Sequence, residues 1–229
     1  METIPLNSSI LIGFATICSV WFFYRATGQS KIFLTISLAW IAVQAAISIS
    51  GFYINTNSAP PRFGLLIVPP VVGMILWLST SKSRMVIDQS DIRWLTLLHT
   101  VRMPVEAALY LLSLDKLIPS LMTFEGMNFD ILAGLSAPVI FYLVFIRKAS
   151  TRILLVWNII SLLLLLNIVI IAVLSLPTSF QQFAFDQPNI ALLYFPMTLL
   201  PAVIVPLVLA SHIIVIRQLI SKKKIIHSI

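Results

Sequence analysis

One apolar stretch, Trp94 to Leu114, is interrupted by His99, Arg102 and Glu106, which share it with Tyr110 and Ser113. At 100° per residue of an α-helix they fall within an arc of about 80°, so a helix here carries a single polar stripe. Arg102 and Glu106 stand four residues apart, within reach of each other. A stripe of this kind can act as a gate, a proton relay or a charge that binds a solute. It can equally be an ion pair that ties one helix to its neighbours. The expected partners of Arg102 and Glu106 are each other or a nearby acid, Glu125 or Asp130. His99 adds a group that ordinarily titrates near neutrality. Pro104, between the two charges, loosens the backbone by removing a helical hydrogen bond.

A second candidate is Glu125-Gly126-Met127-Asn128-Phe129-Asp130. Asp130 directly precedes an apolar run, where a carboxylate suits a helix N-terminus. Together with Glu125 it could instead form an entrance for a cation or a basic solute. The spacing is not that of an EF-hand loop. The third candidate is a set of expected helix breaks, Pro69 and Pro70 in one apolar run and Pro196, Pro201 and Pro206 in another. Each interior proline frees a backbone carbonyl, and broken helices at matching repeat positions point to a transport path. Gln44, Asn158 and Asn167 read as side chains that bond helix to helix. His212 reads as interfacial, near the inner end of its run. Enzyme motifs such as H-E-x-x-H, G-x-S-x-G and the P-loop are missing, as is any metal-ligand cysteine set. No cofactor, catalytic residue or metal is expected.

The elements that must hold these residues follow from composition. Of 229 residues, 59% are hydrophobic and 10% charged, against about 25% charged in soluble domains. Mean hydropathy is +1.01. That leaves too little polar surface for a soluble enzyme, a disordered chain or a nucleic-acid-binding domain. The expected fold is all-α, a polytopic membrane protein. The single cysteine, Cys18, lies in an apolar run and reads as a packed small residue.

Apolar runs cover Leu6 to Tyr24, Ile32 to Ile54, Phe63 to Thr80, Ile131 to Ile146, Ile153 to Leu176 and Asn189 to Ile216. With Trp94 to Leu114 they predict seven transmembrane helices. Placing the segment before the first helix outside puts twelve of the 15 basic residues inside, including Arg25, Lys31, Lys82, Arg84, Arg93 and the Lys222-Lys223-Lys224 tail. Only Arg62 and Lys116 fall outside, and Arg102 lies within the bilayer. This is the positive-inside pattern, N-out and C-in. The acids Glu2, Asp115, Glu125, Asp130 and Asp186 fall outside. The first run has no basic n-region and no A-x-A site, so it reads as a retained span rather than a cleaved signal. The basic tail reads as an anchor to anionic lipid.

A shift of 121 residues lays Asn7–Leu34 on Asn128–Leu155 without a gap, with six identities in 28 positions. A shift of 127 lays Pro61–Pro69 on Pro188–Pro196, with four in nine. Together they predict a 3+1+3 parallel repeat: a first three-helix unit (1–81), a linker helix and outer loop (82–127), a second three-helix unit (128–221) and a basic tail (222–229).

This plan resembles that of the sugar-efflux and vitamin-uptake transporters and, distantly, that of the microbial rhodopsins. The seventh span has no lysine for a retinal Schiff base, so the resemblance to opsins does not extend to function. The stretches Arg102-Met103-Pro104-Val105-Glu106, Met122-Thr123-Phe124-Glu125-Gly126 and Asn128-Phe129-Asp130-Ile131-Leu132 look like an uncharacterised group of bacterial seven-helix inner-membrane proteins. That resemblance implies a bacterial inner membrane and supplies no activity. The expectation is a small-solute transporter or permease. A non-transporting sensor or scaffold and an intramembrane enzyme are the alternatives. The expected partners are the lipid bilayer and a small solute, with no nucleic acid; a homo-oligomer is compatible.

Overall fold

A computed structural model describes residues 4–226. Glu2 and the last three residues of the basic tail lie outside the described residues, as do the side chains of Lys82, Arg84 and Lys222 to Lys224. Every regular element among the described residues is helical. The elements are α1 (Leu6–Ala26), α2 (Lys31–Ile49), α3 (Gly64–Leu78), α4 (Ser81–Gln89), α5 (Ile92–Leu98), α6 (Arg102–Leu114), α7 (Ile131–Phe141), α8 (Thr151–Leu174) and α9 (Val205–Ile226).

Local chemistry starts several of them. The Ser30 hydroxyl accepts the Phe33 N–H at α2, and the Thr80 hydroxyl accepts the Ser83 N–H at α4. Asp91 accepts the Arg93 N–H at α5, and the Ser150 hydroxyl accepts the Arg152 N–H at α8. These caps satisfy N–H groups that the first helical turn leaves without partners.

Among the described residues, four helices are long and apolar enough to cross a membrane: Leu6–Ala26, Lys31–Ile49, Thr151–Leu174 and Leu200–Ser221. Gly64–Trp77 and Ile131–Ile146 are apolar but shorter. The stretch bearing the polar stripe is helical from Ile92 to Leu114, with a tight 3₁₀ turn at His99–Val101 between α5 and α6. That turn lies just ahead of Pro104, which offers no N–H to the carbonyl of Thr100.

The prolines act unevenly. Pro69 and Pro70 lie inside α3, which runs unbroken from Gly64 to Leu78, so no helix break forms there. The break falls entirely in the last run. Residues 189–198 are not α-helical, and Pro201 sits in a wide π-type turn, Leu200–Ile204, that leads into α9. Pro206 in the first turn of α9 leaves the Ala202 carbonyl without its helical donor. The Trp40 indole N–H of α2 donates to that carbonyl at 2.9 Å instead. The irregular segment is buried, with Asn189, Ala191, Met197 and Thr198 all at 0% exposure. It is tied down by Asn189 N–H to Ser175 O at 2.8 Å and by Ile190 and Ala191 N–H to Leu117 O at 3.0 Å. Irregular buried backbone needs partners of this kind for its N–H groups.

The α9 helix is central: 61% of its membrane-length window is buried, against 11% for α2. Helix α1 lies along α5 and α6, and α8 packs along α9. Helix α7 crosses the 3₁₀ turn closely because Gly134 carries no side chain. A Cβ there would stand 3.1 Å from Arg102 Cβ and from Met103. In contrast, α2 and α3 hardly touch each other.

Candidate functional site

The polar stripe of α6 faces inward, and the core it meets is polar as well. Arg102 is 3% exposed, Glu106 1%, Asp130 6%, and both His99 and His212 0%. Burying so many ionisable groups is costly unless they are paired. Most of them are.

Arg102 Nη1 donates to Asp130 Oδ1 at 2.8 Å and to the Ser161 carbonyl of α8 at 3.2 Å. Its Nη2 lies 2.7 Å from His212 Nε2. A guanidinium only donates, so His212 Nε2 is the acceptor and the His212 proton sits on Nδ1. From there it is donated to Asn158 Oδ1 at 2.9 Å. Asn158 in turn donates to the Leu154 carbonyl at 2.9 Å. The chain Arg102–His212–Asn158 thus fixes a neutral imidazole in one tautomer.

His99 is held differently. The Ser211 hydroxyl donates to the Val208 carbonyl at 2.7 Å, so its remaining bond, 3.1 Å to His99 Nε2, is one it accepts. His99 Nδ1 then carries a lone pair, buried and without a hydrogen-bond partner among the described residues. The His99 and His212 rings stack with centroids 4.1 Å apart, and Trp157 meets His99 edge-on at 5.3 Å.

Glu106 does not pair with Arg102. Asn128 donates its amide N–H to Glu106 Oε1 and also to the Met122 carbonyl. The Asn128 carbonyl oxygen accepts the Asp130 N–H at 3.0 Å. One asparagine side chain therefore holds the Glu106 carboxylate and the Asp130 backbone. Glu106 Oε2 and Arg102 Nε make no hydrogen bond among the described residues. Both residues, with Asp130, line a partly open pocket of about 60 Å³ whose other walls are apolar, among them Leu109, Leu165, Ile168 and Leu200. The cluster holds two carboxylates against one guanidinium.

Several expectations change here. Asp130 makes no side-chain cap at α7; its carboxylate is spent on Arg102. Glu125 is exposed while Asp130 is buried, so the two form no shared entrance. Tyr110 is half-buried and stacks on Phe124 at 5.0 Å, at the far end of the stripe from His99. Ser113 spends its hydroxyl on the Tyr110 carbonyl. His212, expected near the end of its run, is buried in this cluster; with the apolar helix starting at Leu200 rather than Asn189, it falls near the middle of that helix. Asn158 does bond one helix to another, but its partner is His212 of the cluster. Gln44 accepts from Tyr53 at 2.6 Å, and Asn167 donates to the Met127 carbonyl at 2.8 Å. No group of three or more His, Cys, Asp or Glu placed to hold a metal ion occurs among the described residues.

Residues 61–220 match the family model described as a domain of unknown function, DUF8737. The chain belongs to that family. The matched span runs from the segment before α3 into α9, so it contains every member of the buried cluster, while α1 and α2 lie outside it. No curated protein and no solved structure matches the chain. Within this DUF8737 protein the cluster joins α5–α6, the turn before α7, α8 and α9 into one polar core.

Proposed function

We propose that this DUF8737 protein is a seven-helix permease of a bacterial inner membrane, N-out and C-in, that moves a small solute or couples its movement to a proton or small cation. The observation that carries this reading is the pair of buried polar atoms without a partner among the described residues, Glu106 Oε2 and Arg102 Nε, on residues that line one pocket. An unpaired buried polar atom costs about 1–3 kcal/mol, and more when charged. A fold that keeps two of them together holds them ready for something that passes. An ionised Glu106 also leaves the cluster one negative charge in excess, a state relieved by a proton or a small cation. In this reading Glu106 takes the passing charge, Arg102–Asp130 holds the frame, and the π-type turn with Pro201 is the flexible wall.

The repeat gives support of a second kind. Helix α2 starts at Lys31 and α8 at Thr151, within one residue of the 121-residue shift. The other block is less even, since Pro69 lies in a helix and Pro196 outside one. A non-transporting sensor or scaffold is favoured by one observation: about 60 Å³ holds only a few waters.

Proteoliposomes loaded with a pH-sensitive dye and given an inside-negative potassium potential separate the two readings. The wild type is expected to acidify the lumen faster than empty vesicles, and Glu106→Gln to reduce that rate at least about tenfold. Flux equal to empty vesicles, or full flux in Glu106→Gln, rejects the assignment. Topology is tested separately in a Cys18→Ser background. Glu125→Cys is expected to react with a membrane-impermeant maleimide on intact cells, and Ser221→Cys only after permeabilisation. The reverse pattern would overturn the orientation.

A further inference from the structure

The π-type turn at Leu200–Ile204 is a wall with two faces. Leu200, Pro201 and Ile204 line the pocket that Glu106 and Arg102 share. Ala202 and Val203 border a separate groove of about 760 Å³ between α2 and α3. The pocket itself, at about 60 Å³, has room for only a few waters. Anything larger lies against Glu106 only if a wall moves.

The walls are held unequally. Leu109 belongs to regular α6, and Leu165 and Ile168 belong to regular α8. The turn lacks such support, because Pro201 and Pro206 offer no N–H. The Val205 N–H reaches back five residues to the Leu200 carbonyl, the wide spacing of a π-turn. Two further ties come from α2. The Trp40 indole N–H donates to the Ala202 carbonyl at 2.9 Å, and the Thr198 hydroxyl donates to the Ser48 hydroxyl at 3.0 Å. The Thr198 carbonyl accepts the Ala202 N–H at 3.2 Å, so the two ties grip one stretch of backbone at both ends. Ala202 is 1% exposed, so water does not readily replace the indole. Helix α2 is itself lightly seated, with 11% of its membrane-length window buried. It lies outside the span matched by the family model, whereas the turn lies inside it.

From this we infer that α2 is a strap that locks the π-type turn, with Trp40 as a positioning residue. Releasing Trp40 lets the turn swing toward the α2–α3 groove and opens the Glu106 pocket. The direction follows from the surroundings. Across the pocket the turn meets α6 and α8, while on its other face it meets the groove. The inference rests on the reading of Glu106 as the carboxylate that takes the passing charge, so its test follows access to Glu106 rather than flux.

The full-length protein in detergent is compared with Trp40→Phe, which keeps an aromatic ring and removes the N–H. Hydrogen–deuterium exchange across residues 197–205 is expected to quicken at least about 5-fold, the lower bound for a buried carbonyl that loses its donor. Dicyclohexylcarbodiimide, a bulky apolar carboxyl reagent, is expected to label Glu106 faster by a similar factor. Mass spectrometry reads the label, with Glu106→Gln as the blank. Ser48→Ala cuts the other tie with a smaller loss of volume and should move both readings the same way; it decides the matter if Trp40→Phe does not fold. Trp157→Phe removes an indole bond to Ser136 that does not involve the turn, and should leave both readings at the wild-type level. Three results would each overturn the strap: unchanged exchange in the variants that fold, faster exchange without faster labelling, or faster exchange along the whole chain. Vesicles without proton flux, alongside the expected exchange and labelling, would remove the permease reading and leave the strap standing.

Discussion

Arg102→Met is expected to lose about 3–5 kcal/mol of stability, and Arg102→Met/Asp130→Leu to recover a large part of that loss. The single variant strips Asp130 of its 2.8 Å partner and leaves a carboxylate buried among apolar side chains. It also removes the donor to His212 Nε2 and one donor to the Ser161 carbonyl. Against a typical net stability of about 5–15 kcal/mol, such a loss threatens the folded state itself. The double variant removes both charges, so no uncompensated ion remains. Thermal melting of the four proteins of the cycle in one detergent checks this, with additive losses as the result that would reject the pairing. The same cycle on Arg102 and Glu106 should show weaker coupling, because no hydrogen bond joins them. Glu106→Gln keeps an oxygen for the Asn128 amide, so it should melt close to the wild type. That property makes it a probe of function rather than of folding.

The sequence made the inward stripe legible because helical periodicity is local: His99, Arg102 and Glu106 share a face whatever surrounds them. Their partners are not local. Arg102 and Asp130 are 28 residues apart, Arg102 and His212 are 110 apart, and no spacing rule links such positions. Asp130 before an apolar run looks the same in sequence whether it caps α7 or reaches a guanidinium. His212 departs from its expected place for a different reason. Asn189 to Ile216 is charge-free and reads as one long span, but Pro196 and Pro201 stop a helix from starting before Leu200. Moving the start by eleven residues carries His212 from near the end of the apolar run to the middle of the helix. The adjacent polar pair Ser211-His212 inside an apolar run was the available signal. Pro69 and Pro70 show the converse: at the sixth and seventh positions of α3 they leave the Leu65 and Leu66 carbonyls without helical donors, and the helix runs on through them. The role of Asn128 had no sequence signal, because its three bonds arise from the fold of a short loop.

That loop is also where the smallest change should do the most harm. Gly126→Ala is expected to cost about 3 kcal/mol, at the upper end of what overpacking usually costs. A Cβ at Gly126 would stand 2.4 Å from the Ser120 carbonyl oxygen and 2.6 Å from Leu121 Cα, and both are backbone atoms that cannot swing away. The Ser120 carbonyl already accepts from the Thr123 N–H and hydroxyl, each at 2.9 Å, so shifting it breaks the turn. The Thr123 carbonyl accepts from Gly126 and Asn128, and the Leu121 carbonyl from Met127. Displacing these strands the Asn128 side chain, which holds Glu106 and the Asp130 N–H. The expected signature is therefore double: a lower melting temperature, and a loss of flux like that of Glu106→Gln in whatever protein still folds. Gly13→Ala, in α1 with open space at its Cβ, supplies the contrast. Replacing that mid-helix glycine should be neutral or stabilising by up to about 1 kcal/mol. Equal melting temperatures for the two alanine variants would show that the Ser120–Asn128 turn yields without cost, and that Glu106 does not depend on it.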